Sequence, residues 1–209
     1  MTDYVYQIFE KYNSDDFTFK TLRYASVLKQ NHNLGRFRVT NLNGNTDADA
    51  QFETIHCVGT RSFSIFNTST KQIVFDSGDD FERYTAVNLP TLFNADHEDN
   101  TPKGRSRAKG PEPEGVTIAQ IATETFAFVS LERVGGVMVY NITNPNNPVF
   151  VDYKNSRSTS AYSGDHGPEG ITYIAPENSA TGLGYILVAN EISGTITIYE
   201  VDENTLSSS

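Results

Sequence analysis

Apolar positions along the chain fall in short runs rather than in the three-and-four spacing of helices. Val137, Val139 and Ile142 near Tyr140, followed by Val149-Phe150-Val151, are β-branched and aromatic and are bounded by Gly, Pro and Asn. That is the pattern of strands. Thr143-Asn144-Pro145-Asn146-Asn147-Pro148 reads as a turn, and Thr68-Ser69-Thr70-Lys71-Gln72 takes the same place between Phe66 and Ile73. A first strand is expected from Gly35 to Thr40. Residues 1–33, with Leu22-Arg23-Tyr24-Ala25-Ser26-Val27-Leu28, read as a linker or short helix ahead of it. Residues 91–112 are polar and charged and read as a long surface loop, the kind of segment that is either mobile or functional.

The strand pattern recurs in blocks. Pro113-Glu114-Gly115-Val116-Thr117 returns 55 residues later as Pro168-Glu169-Gly170-Ile171-Thr172. Leu131-Glu132-Arg133-Val134-Gly135-Gly136-Val137-Met138-Val139-Tyr140 returns 59 residues later as Asn190-Glu191-Ile192-Ser193-Gly194-Thr195-Ile196-Thr197-Ile198-Tyr199. The difference in offset falls in the loop from Pro176 to Gly184, where insertions are tolerated. A fainter copy runs from Val58 to Asn67 and lacks the glutamate. All-strand units of roughly 40 to 60 residues are the mark of propeller blades. The expected fold is therefore all-β, about three antiparallel blades over residues 34–209, interrupted by the loop at 91–112.

Composition narrows the partners. Sixteen Lys and Arg stand against 26 Asp and Glu, a formal net charge of -10, which repels phosphate backbones and anionic membranes. Nucleic acid and direct membrane insertion are excluded as expectations. The single cysteine, Cys57, sits in the apolar run Ile55-His56-Cys57-Val58 and is expected to be buried. The start, Met1-Thr2-Asp3-Tyr4-Val5-Tyr6, lacks the pattern of a secretory signal. Two sequons, Asn67-Thr68-Ser69 and Asn141-Ile142-Thr143, are candidate N-glycan acceptors.

Six motifs then stand in a telling order: Arg61-Ser62-Phe63-Ser64-Ile65-Phe66, Phe75-Asp76-Ser77-Gly78-Asp79-Asp80-Phe81-Glu82-Arg83, Lys109-Gly110-Pro111-Glu112-Pro113-Glu114-Gly115, Leu131-Glu132-Arg133-Val134-Gly135-Gly136, Gly167-Pro168-Glu169-Gly170 and Val188-Ala189-Asn190-Glu191. Together they resemble the choice-of-anchor I family, from about Leu34 to Val201. The resemblance implies an extracellular or surface-anchored protein with a seven-bladed propeller. This chain would correspond to the C-terminal portion and about three of the blades. It also implies open blade faces, and hence pairing with other protein chains, further blades or a second copy.

The candidate chemistry centres on Glu112, Glu114, Glu132, Glu169 and Glu191, four of which occupy recurring positions. Two readings stand: carboxylates converging on a Ca²⁺ ion, which favours hard oxygen ligands, or glutamates that cap amides at glycine turns. A second calcium candidate is Asn45, Asp47, Asp49 and Glu53, a degenerate acidic loop in which Ala48 and Ala50 replace glycines. The working function is a calcium-stabilised surface module for adhesion or assembly. The alternative, implied by a likeness to phytase-like propellers, is a metal-dependent phosphoesterase of that or the alkaline-phosphatase-like type, with Arg83, Lys109, Arg133 and His166 as the available cations. His32, His56, His97 and His166 lack zinc spacing, His166 is expected at the surface, and Ser130 and Ser163 lack a nucleophile elbow.

Overall fold

The computed structural model describes residues 27–47, 53–57, 59, 61–202 and 206. Three antiparallel sheets follow one another along the chain. The first is a hairpin, β1 (Ser64–Phe66) with β2 (Ile73–Asp76). A helix, α1 (Asp80–Asn88), and the 91–112 segment lead into a four-stranded sheet of β3 (Pro113–Ile121), β4 (Glu124–Leu131), β5 (Val137–Asn141) and β6 (Val149–Lys154). A three-stranded sheet of β7 (Pro168–Ile174), β8 (Gly184–Asn190) and β9 (Thr195–Val201) comes last. The all-β expectation holds, with α1 as an addition that strand periodicity did not reveal.

The central sheet is covered on both faces along β4 and β5, which explains why these two strands are apolar almost throughout. On one face Ala119, Ile121, Phe126, Phe128, Val137 and Val139 pack against Ile186 and Val188 of the last sheet. Leu206 joins the same core. On the other face Val129, Leu131, Met138 and Tyr140 meet Phe81 of α1 and Leu92. Phe63, next to β1, packs edge-on against Tyr140 with ring centroids 4.9 Å apart. Aromatic pairs of this kind add roughly 0.5–1.5 kcal/mol beyond their buried area.

The recurring blocks make recurring backbone contacts. The Pro-Glu-Gly motif marks a register shift at the start of both β3 and β7. After the next strand, the Glu132 amide donates to the Glu112 carbonyl at 2.8 Å, and the Glu191 amide donates to the Gly167 carbonyl at 2.7 Å. Gly135 and Gly136, with φ of 89° and 79°, complete the first of these turns in a region where side chains are strained.

Two local expectations need correction. Gly35 to Thr40 forms a single bridge, Val39 to Cys57, in place of a strand, because alternation alone recruits no partner for a segment whose apolar side chains find no core. For the same reason Cys57 is exposed rather than buried. Residues 27–33 form little more than turns, and the rest of the expected linker lies outside the described residues.

The glycines of the two Pro-Glu-Gly motifs differ in surroundings. A Cβ on Gly115 would sit 2.5 Å from the Glu169 carbonyl oxygen, 2.6 Å from Ser130 Oγ and 2.9 Å from Ile171 Cγ2. This is where β3 and β7 touch. A Cβ on Gly170 would meet only Ala189 Cβ, at 3.4 Å. Gly115→Ala is therefore expected to cost about 1–3 kcal/mol by prising the sheets apart, whereas Gly170→Ala should fall within about 0.5 kcal/mol of the parent. Urea unfolding of the two variants reads the difference, and equal losses would contradict the close stacking at Gly115.

Candidate functional site

The 91–112 segment lies outside helices and strands, so its carbonyls need partners from elsewhere. Arginines supply them. Arg61 donates to the Ser106 and Ala108 carbonyls at 2.6 and 2.8 Å and pairs with Glu82 at 2.6 Å. Arg157, only 4% exposed, donates to the carbonyls of Arg133, Asp96 and Asp99 at 2.6–2.8 Å and to the Asn100 side chain. Its guanidinium thus lies buried among neutral oxygens, with five rigid donors matched to carbonyl positions. The segment expected to be a surface loop is in fact docked, with Leu92, Asn94, Ala95 and His97 buried.

Docking carries a group of ionisable side chains onto the end of the central sheet. Glu112, whose side chain is 1% exposed, receives Arg105 Nη2 on one oxygen and Arg133 Nε on the other, each at 2.6 Å. Lys109 Nζ stands 3.4 Å from Glu112 and 3.7 Å from Glu114. Asp96 lies 3.2 Å from Arg133 and 3.7 Å from Arg105. Glu132 contacts Arg133 at 3.3 Å and His97 Nδ1 at 2.8 Å. Glu112 holds a left-handed backbone, φ 51°, unusual for a residue with a side chain. The strain is tolerated because two guanidiniums grip the carboxylate that this conformation presents.

Three of the five candidate glutamates therefore come together. One carboxylate oxygen from each of Glu112, Glu114 and Glu132 lies within 4.8 Å of the others. Glu169 and Glu191 are exposed and lie outside this group among the described residues. In the second candidate, Glu53 Oε2 accepts from the Thr46 amide and hydroxyl at 2.7 and 3.0 Å, and these bonds lower its pKa. Its carboxylate closes the loop that Asn45 and Asp47 flank. Asp49 lies outside the described residues. Arg83 is exposed and pairs with Asp79 on its own helix at 3.7 Å, away from the glutamates.

Burial and charge set the protonation of the group. Burial, followed by the hydrogen bond to Glu112 and the charge of Glu114, pushes Glu132 up to about 8, against the pull of Arg133. Burial acts the same way on Glu112, but the bonds from Glu132, Arg105 and Arg133 override it and hold Glu112 at about 2. The two carboxyls share one proton, held on the Glu132 side. Burial and Arg133 lower the His97 pKa, so the imidazole is neutral near pH 7. Asp96, Glu112 and Glu114 then face Arg105, Lys109 and Arg133, three anions against three cations.

His166 corrects another expectation. It is 3% exposed, lies against Tyr162 with ring centroids 4.4 Å apart, and is kept neutral by burial and by Arg157. Its backbone exchanges bonds with Ser193. Asp165 beside it accepts from Ser156, Thr195 and Thr197 hydroxyls, each at 2.6 Å. Ser130 is spent on the Gly115 amide at 3.0 Å.

Sequence reasoning missed Asp96, Arg105 and Arg157. Arg105 sits in a basic run that reads as solvated, and its one signal is the Glu-Pro-Glu that follows seven residues on. Arg157 has no signal, because its partners are backbone carbonyls some 60 residues away.

Comparison with known proteins agrees with the motif order. The family model described as the choice-of-anchor I domain matches residues 4–145, which includes the whole carboxylate and arginine group apart from Arg157. Gigasin-3a of Magallana gigas is 27% identical over 184 residues, 80% of this chain and 64% of that protein. The mesenchyme-specific cell surface glycoprotein of Strongylocentrotus purpuratus is 22% identical over 193 residues, 85% of this chain and 22% of that protein. The chain spans less than two thirds of the length of either relative. No solved structure matches.

Two outcomes follow from the geometry. Glu112→Gln removes the carboxylate that Arg105 and Arg133 share, leaves them Asp96, and should cost about 1.5–3 kcal/mol in denaturant unfolding. Glu132 has a folded pKa raised above its ordinary 4.5, so its contribution is complete below that value and is lost as pH rises towards about 8. The Glu132 share of the stability should therefore fall from pH 5 to pH 8, and Glu132→Gln, which keeps the neutral shape, should lose that falling component when melting temperatures of parent and variant are compared across the range. An unchanged slope in the variant would remove Glu132 as its source.

Proposed function

The chain belongs to the choice-of-anchor I domain family, and from that premise we propose that it serves outside the cell or at its surface as a non-catalytic assembly module of propeller-like sheets. The observation that carries this reading is the uncovered outer face of the last sheet. Ile196 and Ile198, 69% and 61% exposed, stand on β9 across from Ala189 and Leu187 of β8. Nothing among the described residues covers them. Val116 and Ile118 of β3, an edge strand of the central sheet, are 58% and 60% exposed. Contiguous apolar faces of this kind mark protein interfaces.

Gly170 adds to the case. At the equivalent Gly115 the missing side chain admits the backbone of the next sheet, so the open space at Gly170 is shaped for another strand. The occupant we assign is a further antiparallel sheet of the same build, supplied by a second copy of this chain. A head-to-tail contact of this type closes into a ring or runs on as a filament, according to the rotation between copies. The surface placement draws on the sea-urchin relative, whose name puts that protein at a cell surface, and on the acidic charge, which disfavours nucleic acid.

The carboxylate group supports an architectural role. A phosphoesterase needs metal-binding oxygens free for its ions, and both oxygens of Glu112 are gripped by guanidiniums while Glu132 faces Arg133 and His97. We assign the group as an ionic clamp on the 91–112 segment, a role its own cations balance without Ca²⁺.

Light scattering tests the assembly reading. The parent chain should self-associate at micromolar concentration, and the Ile196→Lys, Ile198→Lys double variant should be monomeric with its melting temperature kept. A monodisperse parent monomer would overturn the proposal.

A further inference from the structure

Both sequons lie at the end of the first strand of a hairpin, and the two hairpins are built alike. Asn67 follows β1, where Phe66 pairs with Ile73 of β2; Asn141 closes β5, where it pairs with Val149 of β6. In each case the asparagine Oδ1 accepts from a following amide: Ser69 and Thr70 at 2.9 Å for Asn67, Thr143 at 3.0 Å for Asn141. The comparison therefore isolates what surrounds the rest of each acceptor.

Those surroundings differ because β5 has a neighbour that β1 lacks. β4 lies beside β5, and Asn141 Nδ2 donates to Glu124 Oε1 at 2.7 Å. The hydroxyl of Thr143, the third residue of that sequon, accepts from the Thr125 amide at 2.9 Å. Both polar groups of the acceptor are thus engaged in the central sheet, and Asn141 is half-buried. β1 is paired with β2 alone. Asn67 is exposed, and its Nδ2 makes no hydrogen bond among the described residues. Its turn is closed locally, by the Asn67 amide to the Gln72 carbonyl and the Lys71 amide to the Asn67 carbonyl, at 2.9 and 2.7 Å.

We infer that Asn67 is the N-glycosylated residue of this chain and that Asn141 stays unmodified, an inference that rests on the extracellular reading above. In the transfer, Asn67 Nδ2 bonds to the anomeric carbon of a lipid-diphosphate oligosaccharide. The sugar C–O bond to the diphosphate breaks, Nδ2 loses one proton, and the lipid diphosphate leaves. A host oligosaccharyl transferase supplies both the donor and the catalysis. The Asn67 turn depends on contacts within six residues, so it can form as soon as the segment emerges. Glu124 and Thr125 precede Asn141 in the chain, so the groups that occupy the second sequon are already present when it emerges.

The site also fits the assembly proposal. The β1–β2 turn and β9 belong to different sheets, so the glycan is not carried by the strand that presents Ile196 and Ile198.

The test expresses the full chain behind a heterologous secretion signal in insect cells, so entry to the secretory pathway does not depend on the surface reading. Peptide N-glycosidase leaves Asp where a glycan was attached, and peptide mass mapping of the parent chain locates it. The expected result is conversion at Asn67 alone, loss of the single mass step in Asn67→Gln, and a second glycan in Glu124→Ala, which releases Asn141. Conversion at Asn141 in the parent, or no glycan on secreted chain, overturns the inference. Localisation of the native protein is a separate measurement, and its outcome bears on the surface reading alone.

Discussion

A carboxylate with 1% of its side chain exposed cannot stay charged without partners, and Glu112 has two guanidiniums. Arg105 comes from the 91–112 segment and Arg133 from the turn after β4, so this one anion joins a stretch without regular structure to the central sheet. The consequences spread outward. His97 and Asp96 are drawn in beside Glu132 and Arg133, the Glu132 carboxyl keeps its proton, and Arg157 closes over the carbonyls of residues 96 and 99. Removing the anion leaves two half-buried cations to share Asp96, and that asymmetry makes such groups hard to replace singly.

The clamp and the stacked sheets meet at the Pro-Glu-Gly motif. Glu112 immediately precedes it, the register shift of β3 begins in it, and Gly115 within it lets the Glu169 backbone approach. The motif thus joins an ionic contact on one side to a backbone contact on the other. The same stretch supplies two of the three glutamates whose carboxylate oxygens lie within 4.8 Å of one another.

The strands were legible because their β-branched and aromatic runs are short, bounded by turn residues, and recur in blocks, and β3 to β6 and β7 to β9 fall within those blocks. Of the candidate site, Glu112, Glu114 and Glu132 came together, and their cations did not announce themselves. Arg157 works through backbone carbonyls distant in sequence, which no composition or spacing encodes. Gly35 to Thr40 shows the converse: alternation without a core to face yields one bridge and no ladder. His166 looked solvent-facing because its neighbours are Asp165 and Gly167, yet Tyr162 folds over it.

β4 and β5 bury side chains on both faces, whereas the last sheet has one neighbour among the described residues. In a stack of sheets, cohesion is a sum over adjacent layers. The last sheet therefore leans on the central one alone among the described residues, and Leu206, reaching the shared core from beyond β9, acts as a latch between them. Fraying begins where the latch lifts, and a docked neighbour would move that weakest point one layer further out.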